Sequence, residues 1–435
     1  MKRWPSPRTF RSRATDRSKS GPVSTRVKTG LANSVDLAET VRAKRLRIVA
    51  ALSARFGDVE LAEDAFAEAC VRAAATRSPP QDWAAWLYAV AQRIAVDSLR
   101  HSRVVRAHAE PAASFDEEVS VSERSMIPDR RLALFFACCH PAIDIASRVA
   151  LALSTICGFS AKQISRACLL SPAAVSQRLV RAKKKLAGSG IMFEIPDSRF
   201  FAERLEAVLC TIEIAYSQAH ASSDPDGEQA LLARQTLELV DILATLMPGN
   251  AQVNALAAAL WFSEARRPAR RDAMGKMIPL EDQDPQLWDR SMLARARDYY
   301  GQVDTAQDAS LRTLQADIQA LWCSRRRQSD PAPWNRVLAR YDRMIAIRDS
   351  AFIRLNRVVA IHKLQGAAAA LREFEELPCA ALEGSPAYHA VGAELLSHTQ
   401  SVREAIQAYD TAIGLQEGSA ERAWLIAQRD ALTLR

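Results

Sequence analysis

The sequence predicts an all-α protein in which two small helical domains, the second built on a helix-turn-helix, precede a long array of helical-repeat hairpins. Three observations carry this. Apolar residues recur at three- and four-residue steps almost everywhere from about Leu31 onward. Glycine is scarce, 15 among 435 residues. No stretch shows the sustained alternation and β-branched enrichment of a strand.

The elements follow in order. Residues 1–36 are expected to be a disordered basic tail. Within residues 1–30, nine Lys or Arg face one acid, Asp16, a surplus equal to the +8 of the whole chain, so the remainder is balanced. Arg, Ser, Thr and Pro with few apolar residues bury too little surface to fold. Such a tail either adds non-specific attraction to DNA or is dispensable. Overall charge is therefore weak evidence for a nucleic-acid partner, and local pattern has to supply it.

Residues 37–108 form the first helical domain. Leu46, Val49, Ser53 and Phe56 mark one helix, which Gly57-Asp58 breaks. Leu61, Ala65, Phe66, Ala69 and Cys70 mark a second, and Ser78-Pro79-Pro80 separates it from a third. In that third helix Trp83, Trp86, Leu87, Val90 and Ile94 share a face. Residues 109–127 are an acidic linker, with Pro111, Asp116, Glu117, Glu118 and Glu123. A second helical domain spans residues 128–190, and Gly188, Gly190 and Pro196 mark its end. Residues 196–435 are helical hairpins punctuated by Pro, Gly and Asp.

The most informative stretch is 146–187. An apolar helix ends at Cys157-Gly158, and Ser160-Ala161-Lys162-Gln163 has the spacing of a capping box, which satisfies the free N–H groups of a new helix. After a short turn at Leu169-Leu170, Ser171 as N-cap and Pro172 at the first helical position open another. Its buried stripe is predicted as Val175, Leu179, Ala182 and Leu186. Ser176, Gln177, Arg178, Arg181 and Lys184 face outward, with no acid from Arg178 to Lys185. Small and polar residues at the front suit base edges in the major groove, and basic residues behind suit phosphates. The plainer alternative is a solvated basic face on an ordinary hairpin.

Composition excludes several classes. Half of the residues are hydrophobic, 49%, yet no apolar run approaches about 18 residues and no signal-type segment opens the chain. A soluble, cytoplasmic protein without a membrane segment is expected. The eight cysteines form no CxxC pair, and Cys138-Cys139-His140 point about 100° apart along a helix, so buried structural thiols are favoured over a metal site. No phosphate loop, dinucleotide glycine run, HExxH or GxSxG element occurs, so neither catalysis nor a cofactor is expected.

At this point the residues resemble a family: sigma factors of the extracytoplasmic-function type, in the subgroup with a tetratricopeptide-like C-terminal extension. The first domain carries the likeness in Leu61-Ala62-Glu63-Asp64-Ala65-Phe66-Ala67-Glu68-Ala69, Trp83-Ala84-Ala85-Trp86-Leu87 and Ala95-Val96-Asp97-Ser98-Leu99-Arg100. These resemble sigma region two, and residues 130–187 resemble region four. Cys138-Cys139-His140-Pro141, Asp272-Ala273-Met274-Gly275 and Leu280 through Trp288-Asp289 resemble stretches particular to the subgroup. The chain departs from the family's pattern at Ala67, at Arg93 and at Tyr216-Ser217-Gln218-Ala219-His220.

The resemblance implies roles. It assigns Glu63, Asp64, Glu68, Trp83 and Trp86 to binding core RNA polymerase, where acids meet basic clamp residues. The same residues also fit a solvated acidic face and a core. Arg93, Arg100 and His101, with Arg103 and Arg106, make a basic helix end suited to phosphates or a melted strand. In the C-terminal half, Ala405, Tyr409 and Ala412 have the spacing of a repeat's second helix, and stacked repeats typically offer a concave surface to a peptide partner. The segment holding Asp282, Asp284 and Trp288 either contacts one of the first two domains or is a loop whose acids cap helix starts. The whole implies an alternative sigma factor that binds core RNA polymerase and promoter DNA, with a regulatory helical extension. The alternative is a helix-turn-helix regulator with a protein-binding extension that never meets polymerase core.

Overall fold

The computed structural model describes residues 24–433 apart from 77, 108–128, 169, 222–227, 305–308, 400 and 417. The expected acidic linker and most of the expected tail lie outside the described residues. Among the described residues the protein is all-α, with eighteen α-helices joined by turns and short 3-10 segments. None of these helices is long and apolar enough to cross a membrane.

The chain packs as two compact units, one drawn from residues 1–45 and 64–126, the other from 46–63 and 127–435. The division passes through α1 (Ser24–Phe56) and α2 (Val59–Ala75). α1 starts at Ser24, ahead of the expected domain start at residue 37, so part of the predicted tail is helical. The first unit is completed by α3 (Trp83–Ala107), whose first turn is capped by the Asp82 carboxylate, 2.8 Å from the Ala84 amide. Trp83, Leu87, Ala91 and Ala95 are buried at strict four-residue steps, the stripe a core-facing helix requires.

In the second unit, Ile48, Val49, Ala50 and Leu52 of α1 are fully buried. Gly57, at φ +71°, ends α1 in the left-handed region that glycine adopts without strain, and Asp58 caps α2 by accepting the Leu61 amide at 3.1 Å. Then come α4 (Arg131–Cys138), α5 (Ile145–Thr155), α6 (Ala161–Ala167) and α7 (Pro172–Gly188). The remainder holds α8 (Ala202–Ala221), α9 (Glu228–Leu246), α10 (Ala251–Ala265), α11 (Arg290–Tyr300), α12 (Leu311–Trp322), α13 (Trp334–Ile347) and α14 (Ala351–Gln365). It closes with α15 (Ala367–Glu375), α16 (Pro386–Ser397), α17 (Val402–Leu415) and α18 (Ser419–Thr433). α10 is the central rod: every residue from Val253 to Ala265 is buried, and α8, α9, α11 and α12 all pack on it. Further along, successive helices pack in pairs over local cores. Ala405, Tyr409 and Ala412 of α17 are buried with Ala393 of α16 and Leu425 of α18.

The break foreseen at Gly188–Pro196 is not a break in packing. Ala215 and Ile214 of α8 and Leu232 of α9 join Leu153, Phe159, Ile164 and Val175 in one core. Phe136 stacks on Phe201, ring centroids 5.1 Å apart, and Arg204 donates to the Phe136 carbonyl at 3.2 Å. A module of four short helices has more apolar face than it can cover alone, and the next hairpin covers the rest.

The segment with Asp282, Asp284 and Trp288 takes the second of its two readings, a loop whose acids cap helix starts. Trp288 is 3% exposed, so it is core and not a surface contact. Asp284 accepts the Gln286 amide at 2.9 Å and Asp289 caps α11 through the Met292 amide at 2.9 Å. Asp282 is exposed, and its carbonyl is held by Gln328 at 2.8 Å. The acids order an interhelical strap inside the extension, because a chain that turns sharply between helices leaves amides for carboxylates to satisfy.

Candidate nucleic-acid interface

The helix-turn-helix is assembled by local chemistry. Asp144 caps α5 through the Ser147 amide at 3.0 Å. The Ser147 hydroxyl and amide, with the nearby charge of Arg178, hold the Asp144 carboxyl below its ordinary range. Gly158, at φ +71°, reverses the chain after α5, and the Phe159 amide turns back to the Leu153 carbonyl at 3.1 Å. The capping box foreseen at Ser160 forms: its hydroxyl faces the Gln163 amide at 3.3 Å and Gln163 Oε1 accepts the Ser160 amide at 2.8 Å. In the turn, the Leu170 amide donates to the Ser165 carbonyl at 2.9 Å. Ser171 then caps α7 through the Ala174 amide at 3.2 Å, with Pro172 at the first position.

α7 buries Val175, Ala182 and Leu186 and leaves Leu179 half-buried. Its exposed face runs through Ala173, Ser176, Gln177, Val180, Arg181, Lys184 and Lys185. Four of the five predicted reading residues (Ser176, Gln177, Arg181 and Lys184) lie on this face. The Ser176 hydroxyl donates to the Pro172 carbonyl at 3.0 Å, so its proton is used within the helix and its lone pairs face outward. Arg178 is a correction: it is half-buried, on the flank near Asp144 and Cys168, because a step of three from Val175 keeps it close to the core stripe. Val180, 66% exposed, is a member of the face that sequence reasoning missed. Its spacing of three and four residues from Gln177 and Ser176 was the available signal, and an apolar group there suits a thymine methyl. Lys162 on α6 is exposed as well.

The remaining predicted residues are scattered. On α3, Arg93, Arg100 and His101 are exposed, with Asp97 exposed among them; Arg103 and Arg106 are helical, and their side chains lie outside the described ones. Asp64 and Glu68 are exposed, and Glu68 pairs with Arg72 at 2.9 Å. Trp83 is buried and Trp86 half-buried, their rings edge-on at 5.8 Å. Glu63 is not an open acidic contact: its carboxylate pairs with Lys183 of α7 at 2.8 Å, with both side chains about one-fifth exposed, 19% and 21%. At the head of α4–α7, Cys138 and Cys139 are fully buried, and burial pushes both thiols well up. His140 Nδ1 accepts the Ala142 amide at 3.1 Å, which fixes the turn into α5.

Residues 137–186 match the family model described as sigma-70, region 4, and residues 204–303 match a family of unknown function (DUF6596). The helix-turn-helix built above falls inside the first of these. An uncharacterized protein of Rhizobium meliloti (strain 1021) is 35% identical over 398 residues, covering 89% of this chain and 94% of the relative. No solved structure matches the chain. The chain belongs to the same family as that Rhizobium protein, and it carries within it the region 4 helix-turn-helix of sigma-70 factors.

Proposed function

We propose that the protein is an alternative sigma factor of the extracytoplasmic-function type, which binds core RNA polymerase and directs transcription from promoters that it selects. The observation that carries this is the capped helix-turn-helix within the sigma-70 region 4 match, with the polar and basic face of α7 uncovered. Gln177 and Val180 lie where base edges would be read, and Arg181, Lys184 and Lys185 where phosphates would be held. α2 and α3 supply the polymerase contact through Asp64, Glu68 and the Trp83–Trp86 pair, and the basic end of α3 follows the opened strand. Glu63 joins that contact only after its pair with Lys183 opens. The helices from residue 196 onward form a tetratricopeptide-like regulatory extension, its paired helices offering a surface to a peptide partner. The protein acts in the cytoplasm.

The test is reconstitution. The full chain is mixed with bacterial core RNA polymerase, complex formation is measured, and transcripts are mapped from genomic fragments. Association with core and discrete start sites are expected. Duplex binding without core association would overturn the sigma assignment and leave a helix-turn-helix regulator with a helical extension.

A further inference from the structure

Two histidines and a glutamate meet where α14 packs on α16. His362 comes from α14, Glu394 from α16, and His398 sits at the C-terminal cap of α16, one turn beyond Glu394. One donor atom from each lies within 4.8 Å of the other two. His398 Nε2 is 3.3 Å and His362 Nε2 3.9 Å from the same oxygen, Glu394 Oε1. The other carboxylate oxygen, Oε2, accepts the hydroxyl of Tyr409 at 3.0 Å, which fixes the rotation of the carboxylate and aims Oε1 at the imidazoles.

We propose that His362, Glu394 and His398 form a binding site for a borderline divalent transition metal of the zinc and cobalt type. Two imidazoles and one carboxylate are a donor set that such ions take and that magnesium and calcium do not. A tetrahedral ion with bonds of about 2.0–2.2 Å holds its ligands about 3.4 Å apart. The His398–Glu394 distance of 3.3 Å already meets this, and the His362–Glu394 distance of 3.9 Å closes by a small rotation.

A plain ion pair explains the arrangement less well. The His362 side chain is only 13% exposed, yet 3.9 Å is beyond hydrogen-bond reach of the carboxylate. The two imidazole rings lie 5.2 Å apart, and burial lowers the pKa of His362. A neutral imidazole is the form that ligates a metal. Tyr409, 1% exposed, plays the part of an outer partner that orients a ligating carboxylate.

Three protein ligands leave a fourth position. His362 and Glu394 also line a cavity of about 710 Å³ whose walls include Trp322, Trp334, Tyr341 and Trp424. A fourth ligand would come from this space, which can admit water or a small molecule with a donor group. The site lies wholly within the extension and stands whether or not the protein binds polymerase.

The experiment is a titration of untagged, chelator-stripped full-length protein with Co²⁺, followed by its visible ligand-field bands, and with Zn²⁺ by equilibrium dialysis. One ion per chain is expected, with tetrahedral-type bands and no thiolate charge-transfer band. Glu394→Gln and His398→Ala should each weaken binding at least tenfold, and Tyr409→Phe by about tenfold. His398 is half exposed, 51%, so its variant is the one least able to disturb folding. Affinity should fall as pH drops from about 7.5 to about 5.5, since protons compete for the imidazoles. Stoichiometric binding that survives both Glu394→Gln and His398→Ala, or thiolate bands, would place the metal elsewhere and overturn the proposal. Failure of wild-type protein to take up Co²⁺ at millimolar concentration would overturn it equally.

Discussion

On the proposed function, single side chains on α7 would divide the labour of recognition, and the division is measurable. Gln177 is exposed at the front of the helix, so Gln177→Ala should cost about 1–3 kcal/mol on a preferred site and relax preference at one base pair. Lys184, further back, should when changed to Ala weaken all sequences alike and lower the salt slope by about one. Binding assays on matched and mismatched duplexes at several salt concentrations separate the two; uniform loss from both variants would remove base reading from Gln177. Arg178 is half-buried beside Asp144, so its replacement should act mainly through the fold of the helix-turn-helix. The cysteines make a second residue-scale test. Cys138 and Cys139 are buried with thiols pushed well up, while Cys379 is exposed. A thiol reagent should label Cys379 in the native protein and reach the adjacent pair only on unfolding. Rapid native labelling of Cys138 or Cys139 would contradict the burial.

At the scale of an element, caps decide where the helices of the DNA-reading module begin. Asp144→Ala removes the side-chain partner of the Ser147 amide at the head of α5 and should cost about 1 kcal/mol at neutral pH. The sign of its pH dependence follows from the lowered folded pKa. An Asp titrates near 3.9 when unfolded, so the contribution is present above that value and is lost as pH falls through the lower folded one. Urea unfolding should therefore separate wild type from variant at pH 7 and bring them together below about pH 4. A gap that stayed constant down to pH 2 would mean that packing, not the carboxylate, carries the effect. The same capping logic explains why α6 and α7 were legible from Ser160, Gln163, Ser171 and Pro172: each cap is completed within three residues of sequence.

Across the whole molecule, the DNA-reading module and the extension share a core. Phe201, 7% exposed, stacks on Phe136, and Ala215 and Leu232 close over Leu153 and Val175. Phe201→Ala should accordingly cost about 3–5 kcal/mol and weaken DNA binding without touching the recognition face. Cutting the chain at about residue 196 should leave residues 128–190 poorly folded, seen as lost helical ellipticity and lost duplex binding. A truncated protein with full helicity and unchanged affinity would show that the shared core is dispensable. On this packing, removal of the extension tests folding before it tests regulation.

The order of the helices, their class and the helix-turn-helix were determined by the sequence itself, because caps, turns and three-to-four-residue periodicity act over a few residues. Ala405, Tyr409 and Ala412 announce their buried face by spacing alone, whereas of the face expected on α3 only Trp83 and Leu87 are buried, and Trp86, Val90 and Ile94 are half-buried while Ala91 and Ala95 take the core. What touches what over long range was decided only in three dimensions. Nothing local to Glu63 names Lys183, and nothing near Trp288 distinguishes an exposed contact from core. The step from Glu394 to His398 is one helical turn, visible in sequence. Their meeting with His362 depends on how α14 packs against α16, since burial of apolar faces, being non-directional, selects partners only once the whole chain has collapsed.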